Sequence, residues 1–230
     1  MTKIFCDIAD IKLIKKFNHK SIVKGFTTNP SLMRKAGARD YRRYSMKILK
    51  ITNKPVSCEV FADDENNMIS QGIKISNWAK NVYVKVPVTN SSGKFMGRVI
   101  NELNNKNIKL NITAVYNANQ TRQILKKINK KTKVIISIFA GRMSDVGKDP
   151  IPEFRKSIKI SKKFKNVEIL WASTREPLNY LQAKQLKCHI ITVPPAIIEK
   201  IEKFGKSFQK LTIDTVKGFL TDSKKSNFKI

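Results

Sequence analysis

Short runs of apolar, β-branched residues recur along the chain, and between them apolar residues return every three or four positions. The runs cover residues 4–7, 25–29, 56–61, 82–86, 109–113, 134–139, 167–172 and 189–193. Their length and composition predict strands. The intervening stripes predict helices. Leu13, Ile14 and Phe17 form the first, and Met68, Ile69, Ile73, Ile75 and Trp78 the second. Met96, Val99, Ile100 and Leu103 follow, then Ile124, Leu125 and Ile128, then Ile158, Ile160 and Phe164, then Leu178, Leu181 and Leu186. A last helical stretch starts at Ile197 and runs through Phe208, Leu211 and Val216 to Leu220. Residues 222–230 read as a frayed tail.

Eight strand–helix units in 230 residues give about 29 residues per unit, the size expected of a (β/α)₈ TIM barrel. The fold class is therefore α/β, a single barrel with a C-terminal helical extension, one domain over residues 1–221. A doubly wound open sheet is the alternative and would carry a glycine-rich turn after its first strand. Here that turn reads Asp7-Ile8-Ala9-Asp10, and the nine glycines form no G-x-G-x-x-G or P-loop string.

Composition narrows the function classes. No apolar run approaches the roughly 18 residues of a membrane span, and the N-terminal stretch has Asp7 where a signal peptide needs an apolar core. Cys6, Cys58 and Cys188 are odd in number and lack C-x-x-C spacing, so they are expected as free, buried thiols in a reducing compartment. A cytoplasmic protein is the expectation. The formal net charge is +29, from 46 Lys+Arg against 17 Asp+Glu. Only 9 of the 46 basic residues are Arg, and the lysines spread along the whole chain without interleaved aromatics. Nucleic-acid readers concentrate their charge and stack bases on aromatic rings. The charge therefore reads as a solvated surface that also draws in anionic substrates, and no specific nucleic-acid partner is expected.

Barrel strands are buried on both faces and should be nearly all apolar. The polar exceptions cluster near the strand ends where barrel enzymes place their chemistry. They are Asp7, then Thr27, Thr28 and Asn29, then Glu59, Lys85, Asn111 with Thr113, and Ser137. Arg142 follows strand 6, and Ser173 and Arg175 follow strand 7. Lys85 sits between Tyr83-Val84 and Val86-Pro87-Val88. Desolvation disfavours a charged amine, and an uncharged amine attacks carbonyls to form a Schiff base. Asp7 and Glu59 lie on strands that aim them toward Lys85. One suits an ion pair with it, the other general acid–base work, unless they merely cap helices, a role that Asp7 or Asp10 also fits. Arg142, Ser173 and Arg175 stand where barrels often hold phosphate. His19 and His189 lie near no motif, and no cluster has metal-ligand spacing. No metal or other cofactor is expected.

Three strings carry a resemblance. Phe26-Thr27-Thr28-Asn29-Pro30-Ser31-Leu32, Val84-Lys85-Val86-Pro87-Val88-Thr89 and Phe139-Ala140-Gly141-Arg142 resemble the transaldolases and the closely related fructose-6-phosphate aldolases. Ala172-Ser173-Thr174-Arg175 and Thr192-Val193-Pro194-Pro195 extend the likeness along nearly the whole chain. The resemblance implies a class I mechanism on sugar phosphates. Lys85 would form an imine with a ketose phosphate, Glu59 would relay protons through a water held with help from Thr113, and Asp7 would take the C4 hydroxyl proton. Thr27, Asn29, Asn111, Ser137 and Phe139 would shape the three-carbon subsite. Arg142, Ser173 and Arg175 would hold the phosphate. The aldolase members carry Gln in place of Glu59 and Tyr in place of Phe139, so the resemblance favours transfer over release. It also implies a homo-oligomer, a pentamer or a decamer, built partly through residues 197–220.

Three readings follow. The leading one is a transaldolase of the pentose phosphate pathway. A fructose-6-phosphate aldolase that releases free dihydroxyacetone is the second. A basic, non-catalytic barrel that binds nucleic acid is the third, and it leaves the polar strand residues unexplained.

Overall fold

In the computed structural model, which describes residues 1–226, eight parallel strands close on themselves in sequence order. The strands are β1 (Lys3–Asp7), β2 (Val23–Thr27), β3 (Val56–Glu59), β4 (Val82–Pro87), β5 (Leu110–Val115), β6 (Val134–Phe139), β7 (Val167–Ala172) and β8 (Ile190–Val193). Around them run α1 (Ile11–Asn18), α2 (Pro30–Lys35), α3 (Tyr41–Ile51), α4 (Glu65–Ser76), α5 (Gly97–Asn105) and α6 (Ala118–Leu125). The ring continues with α7 (Ala140–Ser144), α8 (Ile151–Ser161), α9 (Leu178–Gln185) and α10 (Pro195–Ile201), and α11 (Phe208–Ser226) projects beyond it. The expected barrel is the fold observed.

Local chemistry marks where each strand hands over to its helix. Asp10, Asn29, Asp40, Asp64 and Asn117 cap α1, α2, α3, α4 and α6, each side-chain oxygen accepting a first-turn backbone N–H. Each cap satisfies a donor that would otherwise go unpaired at a helix start. Outside the barrel, Ile14, Phe17, Met68, Ile100, Leu103 and Phe154 are fully buried between helices and sheet. The Phe154 ring stacks on Trp171 of β7 at 4.4 Å.

The barrel interior is layered. Phe5, Tyr83, Ile135, Leu170 and Ile190 form an apolar plug. Gly25 belongs to the same layer. A Cβ there would meet the Phe5 ring at 2.6 Å, so glycine makes room for the ring. Side chains alternate along a strand, so the next inward layer lies two residues on. It holds Asp7, Thr27, Lys85, Ser137, Ala172 and Thr192.

Four details depart from the sequence-based expectations. First, the periodicity marked no helix between β2 and β3, yet α2 and α3 fill that stretch. The buried face of α3 is Ser45, Ile48 and Leu49, and the serine breaks its apolar stripe. Second, of the leucine stripe expected on α9 only Leu186 reaches the core. Leu178 and Leu181 are exposed, and the helix packs through buried Ala183 with Tyr180 and Leu186. Third, the terminal stretch from Ile197 to Leu220 is two helices. They break at residues 202–207, where Gly205 takes a φ of 99°, a conformation that favours glycine. Fourth, the tail expected to fray from Asp222 is helical to Ser226, and residues 227–230 lie outside the described residues. The cysteines agree with expectation: all three are buried and free.

Candidate active site

The polar layer opens into a cavity of about 210 Å³ at the carboxyl ends of the strands. Asp7, Thr27, Asn29, Lys85, Asn111, Thr113, Ser137, Phe139, Arg142, Ser173 and Arg175 all line it. Of the twelve residues assigned a site role from the sequence, eleven therefore meet in one cavity. The twelfth, Glu59, reaches the lysine from the side.

Lys85 is 8% exposed. Its Nζ donates to Glu59 Oε2 at 3.1 Å and to Thr28 O at 3.2 Å. The strand register sets this contact, because Glu59 on β3 lies directly beside Lys85 on β4. A buried ammonium needs such partners, since removing either leaves an uncompensated group. Asp7 occupies the equivalent position on β1, and its Oδ1 accepts from Thr27 Oγ1 at 2.6 Å. Burial pushes the Asp7 carboxyl above the usual range, and the Thr27 hydrogen bond and the charge of Lys85 only partly oppose it. The two carboxylates thus differ in setting. Glu59 is the lysine's direct partner, and Asp7 is held by Thr27 instead. The N-cap role falls to Asp10 instead.

One wall is a relay of buried polar side chains. Ser137 Oγ donates to Asn111 Oδ1 at 2.6 Å, and Asn111 Nδ2 donates to Ser57 Oγ at 2.9 Å. The relay holds the Asn111 amide plane in place. Thr113 Oγ1 is buried, lines the cavity and has no hydrogen-bond partner among the described residues. A buried hydroxyl left unpaired in this way is placed for a ligand or a water. Asn29 spends its side-chain oxygen on the α2 cap, which turns its amide nitrogen into the group available to the cavity.

The mouth is cationic. Arg142 contributes one guanidinium. Arg175 contributes a second, forked onto Asp145 through Nε–Oδ1 at 3.0 Å and Nη2–Oδ2 at 2.5 Å. This pairing lowers the Asp145 carboxyl and raises the Arg175 guanidinium. Ser173 adopts a φ of 62°, which non-glycine residues rarely take. Its backbone runs so close to Gly141 that a Cβ there would stand 1.8 Å from Ser173 O. Gly141 thereby lets the segments after β6 and β7 bring Arg142, Ser173 and Arg175 to one rim.

Sequence reasoning missed three contributors. Thr192 lines the cavity and shares a short hydroxyl–hydroxyl hydrogen bond with Thr27. Ser57 ends the amide relay. Both are polar residues inside apolar strands, so the rule that found the others applies to them too. Tyr41, whose hydroxyl accepts the Glu59 N–H at 2.8 Å, carried no such signal.

An eight-stranded parallel barrel with a lysine, carboxylates and a cationic rim at one mouth is the framework of a barrel enzyme. The chain belongs to the transaldolase/fructose-6-phosphate aldolase family, whose sequence profile matches residues 4–230. A "probable transaldolase" of Methanococcus maripaludis is 34% identical over 200 residues, covering 86% of this chain and 89% of that protein. Another from Thermoanaerobacter sp. is 31% identical over 229 residues, covering 99% and 100%. Among solved structures, a "putative phosphonomutase" from Burkholderia cenocepacia superposes with a TM-score of 0.59 at 8% identity, over 88% of this chain and 89% of that one. That likeness is one of barrel fold alone.

Proposed function

We propose that this protein is a transaldolase that moves a dihydroxyacetone unit between sugar phosphates in the cytoplasmic pentose phosphate pathway. The observation that carries the reading is the buried Lys85 amine in contact with Glu59 and sharing one cavity with Asp7. Lys85 Nζ attacks the C2 ketone of a ketose phosphate such as fructose 6-phosphate or sedoheptulose 7-phosphate. Water leaves and an imine forms, with Glu59 moving protons through a water that Thr113 helps hold. Asp7 takes the proton from the C4 hydroxyl, the C3–C4 bond breaks, and an aldose phosphate departs. The electron pair of that bond enters the imine, leaving an enamine on Lys85. The enamine carbon then attacks the aldehyde of erythrose 4-phosphate or glyceraldehyde 3-phosphate. Asp7 returns its proton to the new alkoxide, and hydrolysis frees Lys85. A carboxyl raised by burial suits both halves of this task, since it holds a proton readily between the two. In this reading Asn29, Asn111 and Ser137 hold the hydroxyls of the three-carbon unit, and Arg142, Ser173 and Arg175 hold the phosphate.

The choice of transfer over release rests on Glu59 and Phe139. Phe139 packs its ring near Tyr116, with centroids 6.0 Å apart, and brings no hydroxyl to the cavity wall. The bound unit then waits for an acceptor. The test is borohydride trapping with fructose 6-phosphate, read by intact mass and peptide mapping. A three-carbon adduct on Lys85 is expected, discharged by erythrose 4-phosphate added before the borohydride. Free dihydroxyacetone without acceptor would favour the aldolase reading, and no adduct with any donor would sink the imine mechanism.

The homo-oligomer belongs to the same proposal. α11 buries none of its residues, and Phe208, Val216 and Phe219 stand 89%, 58% and 70% exposed. A second copy is the expected cover. Sedimentation equilibrium should give a multiple of 26.3 kDa, and a monomer at micromolar concentration would refute it.

A further inference from the structure

One rung of the barrel's hydrogen-bond ladder is missing beside the site. In a parallel pair, a residue that donates its N–H to a neighbour's carbonyl also accepts, on its own carbonyl, the N–H two residues further along that neighbour. Thr28 N–H donates to Ser57 O at 3.2 Å, so Thr28 O is due to receive the Glu59 N–H. Instead, Glu59 N–H donates to Tyr41 Oη at 2.8 Å, and Thr28 O accepts from Lys85 Nζ at 3.2 Å. Both ends of the lost rung are satisfied, one by the amine and one by a phenol. The strands β2 and β3 part at the level of the lysine.

Tyr41 is built into that role. It opens α3, where the Asp40 cap fixes the helix start. Its ring meets Phe61 edge-on at 5.4 Å and Trp78 at 5.8 Å. Burial first, and then the nearby Cys58 and Glu59, push its phenol up. The group therefore stays an uncharged hydroxyl across neutral pH.

We infer that Tyr41 is a positioning residue for the Lys85–Glu59 pair: by taking the Glu59 N–H it holds the β2–β3 gap open, fixes where β3 delivers the carboxylate, and reserves the Thr28 carbonyl for the amine. The inference rests on the proposed roles of Lys85 and Glu59. Without the hydroxyl, the Glu59 N–H is left buried and unpaired, and closing the rung onto Thr28 O is its nearest remedy. That closure competes with Lys85 for the same carbonyl and swings Glu59 with its strand. Formation and hydrolysis of the imine need proton movement at Lys85, so these steps slow. Carbon–carbon cleavage draws on Asp7, on the far strand β1, and does not.

Tyr41→Phe tests this, because it keeps the ring against Phe61 and Trp78 and removes only the oxygen. Rapid mixing with fructose 6-phosphate, quenched by borohydride, reads the rate of imine formation. That rate should fall about tenfold or more, the scale on which small misplacements act, while the donor KM moves little. In a Glu59→Gln background the same change should add nothing, since the two residues act as one unit. Equal imine rates in wild type and Tyr41→Phe would overturn the inference and leave the transaldolase reading standing. An equal fold-loss in both backgrounds would also overturn it, because that is the mark of a general structural defect. A wild type that forms no imine would instead remove the reading on which the inference rests.

Discussion

Lys85→Met is expected to lower transfer of the three-carbon unit by at least about 10⁴-fold, the scale of losing a covalent nucleophile. Methionine matches the lysine stem in length and keeps the space filled, so the fold should survive. Its loss leaves the Glu59 carboxylate without its 3.1 Å partner and Thr28 O without its donor. Thermal melting should therefore shift down modestly while circular dichroism stays that of the wild type. The decisive readings are steady-state transfer with a coupled assay and the mass of borohydride-treated protein. Residual turnover within tenfold of wild type would remove Lys85 from the chemistry, whatever its burial.

Asp7→Asn should separate activity from stability. Turnover is expected to fall by about 10² to 10⁴, the range for removing a positioned acid–base group. Stability should move the other way, by an amount that depends on pH. Burial raises the folded-state pKa of Asp7 above its unfolded value. Below the unfolded value both states are protonated and the group contributes its full stability. As pH rises through the raised folded value, the folded protein must carry a buried charge and that stability is lost. Asparagine can still accept the Thr27 hydrogen bond and never ionises. The melting-temperature difference, variant minus wild type, should thus grow from pH 4 toward pH 8. A difference that is flat across this range would show that Asp7 is not held in the protonation-prone state argued here.

Much of this was legible in the sequence because barrel strands leave so little freedom. A strand buried on both faces tolerates polar residues only where they are used, so Asp7, Lys85, Asn111 and Ser137 stood out against their apolar neighbours. The same logic reached Arg142 and Arg175 through their place after strands 6 and 7. It stopped short at Thr192 and Ser57, which break the apolar pattern equally but draw less notice as small hydroxyls. Tyr41 was beyond its reach. Tyrosine on a helix face looks like ordinary packing, and only the missing ladder rung reveals what its hydroxyl does. The outer helices were harder for a related reason. On α9 the conspicuous leucines face solvent and a single alanine makes the close contact, so size misled where shape decided. The Asp145 clamp on Arg175 is a meeting across 30 positions of chain, and no local pattern encodes it.

The Phe5 ring seated over Gly25 has a consequence for the order of events. With Tyr83, Ile135, Leu170 and Ile190 it backs a chamber of about 210 Å³ that opens at the carboxyl ends of the strands. Under the proposed chemistry, the aldose released from the donor must leave by the doorway through which the donor came. The acceptor takes up the vacated space only afterwards, so the two half-reactions alternate in a ping-pong sequence. Traffic through one opening, as much as the lysine itself, then enforces the wait of the three-carbon fragment between partners.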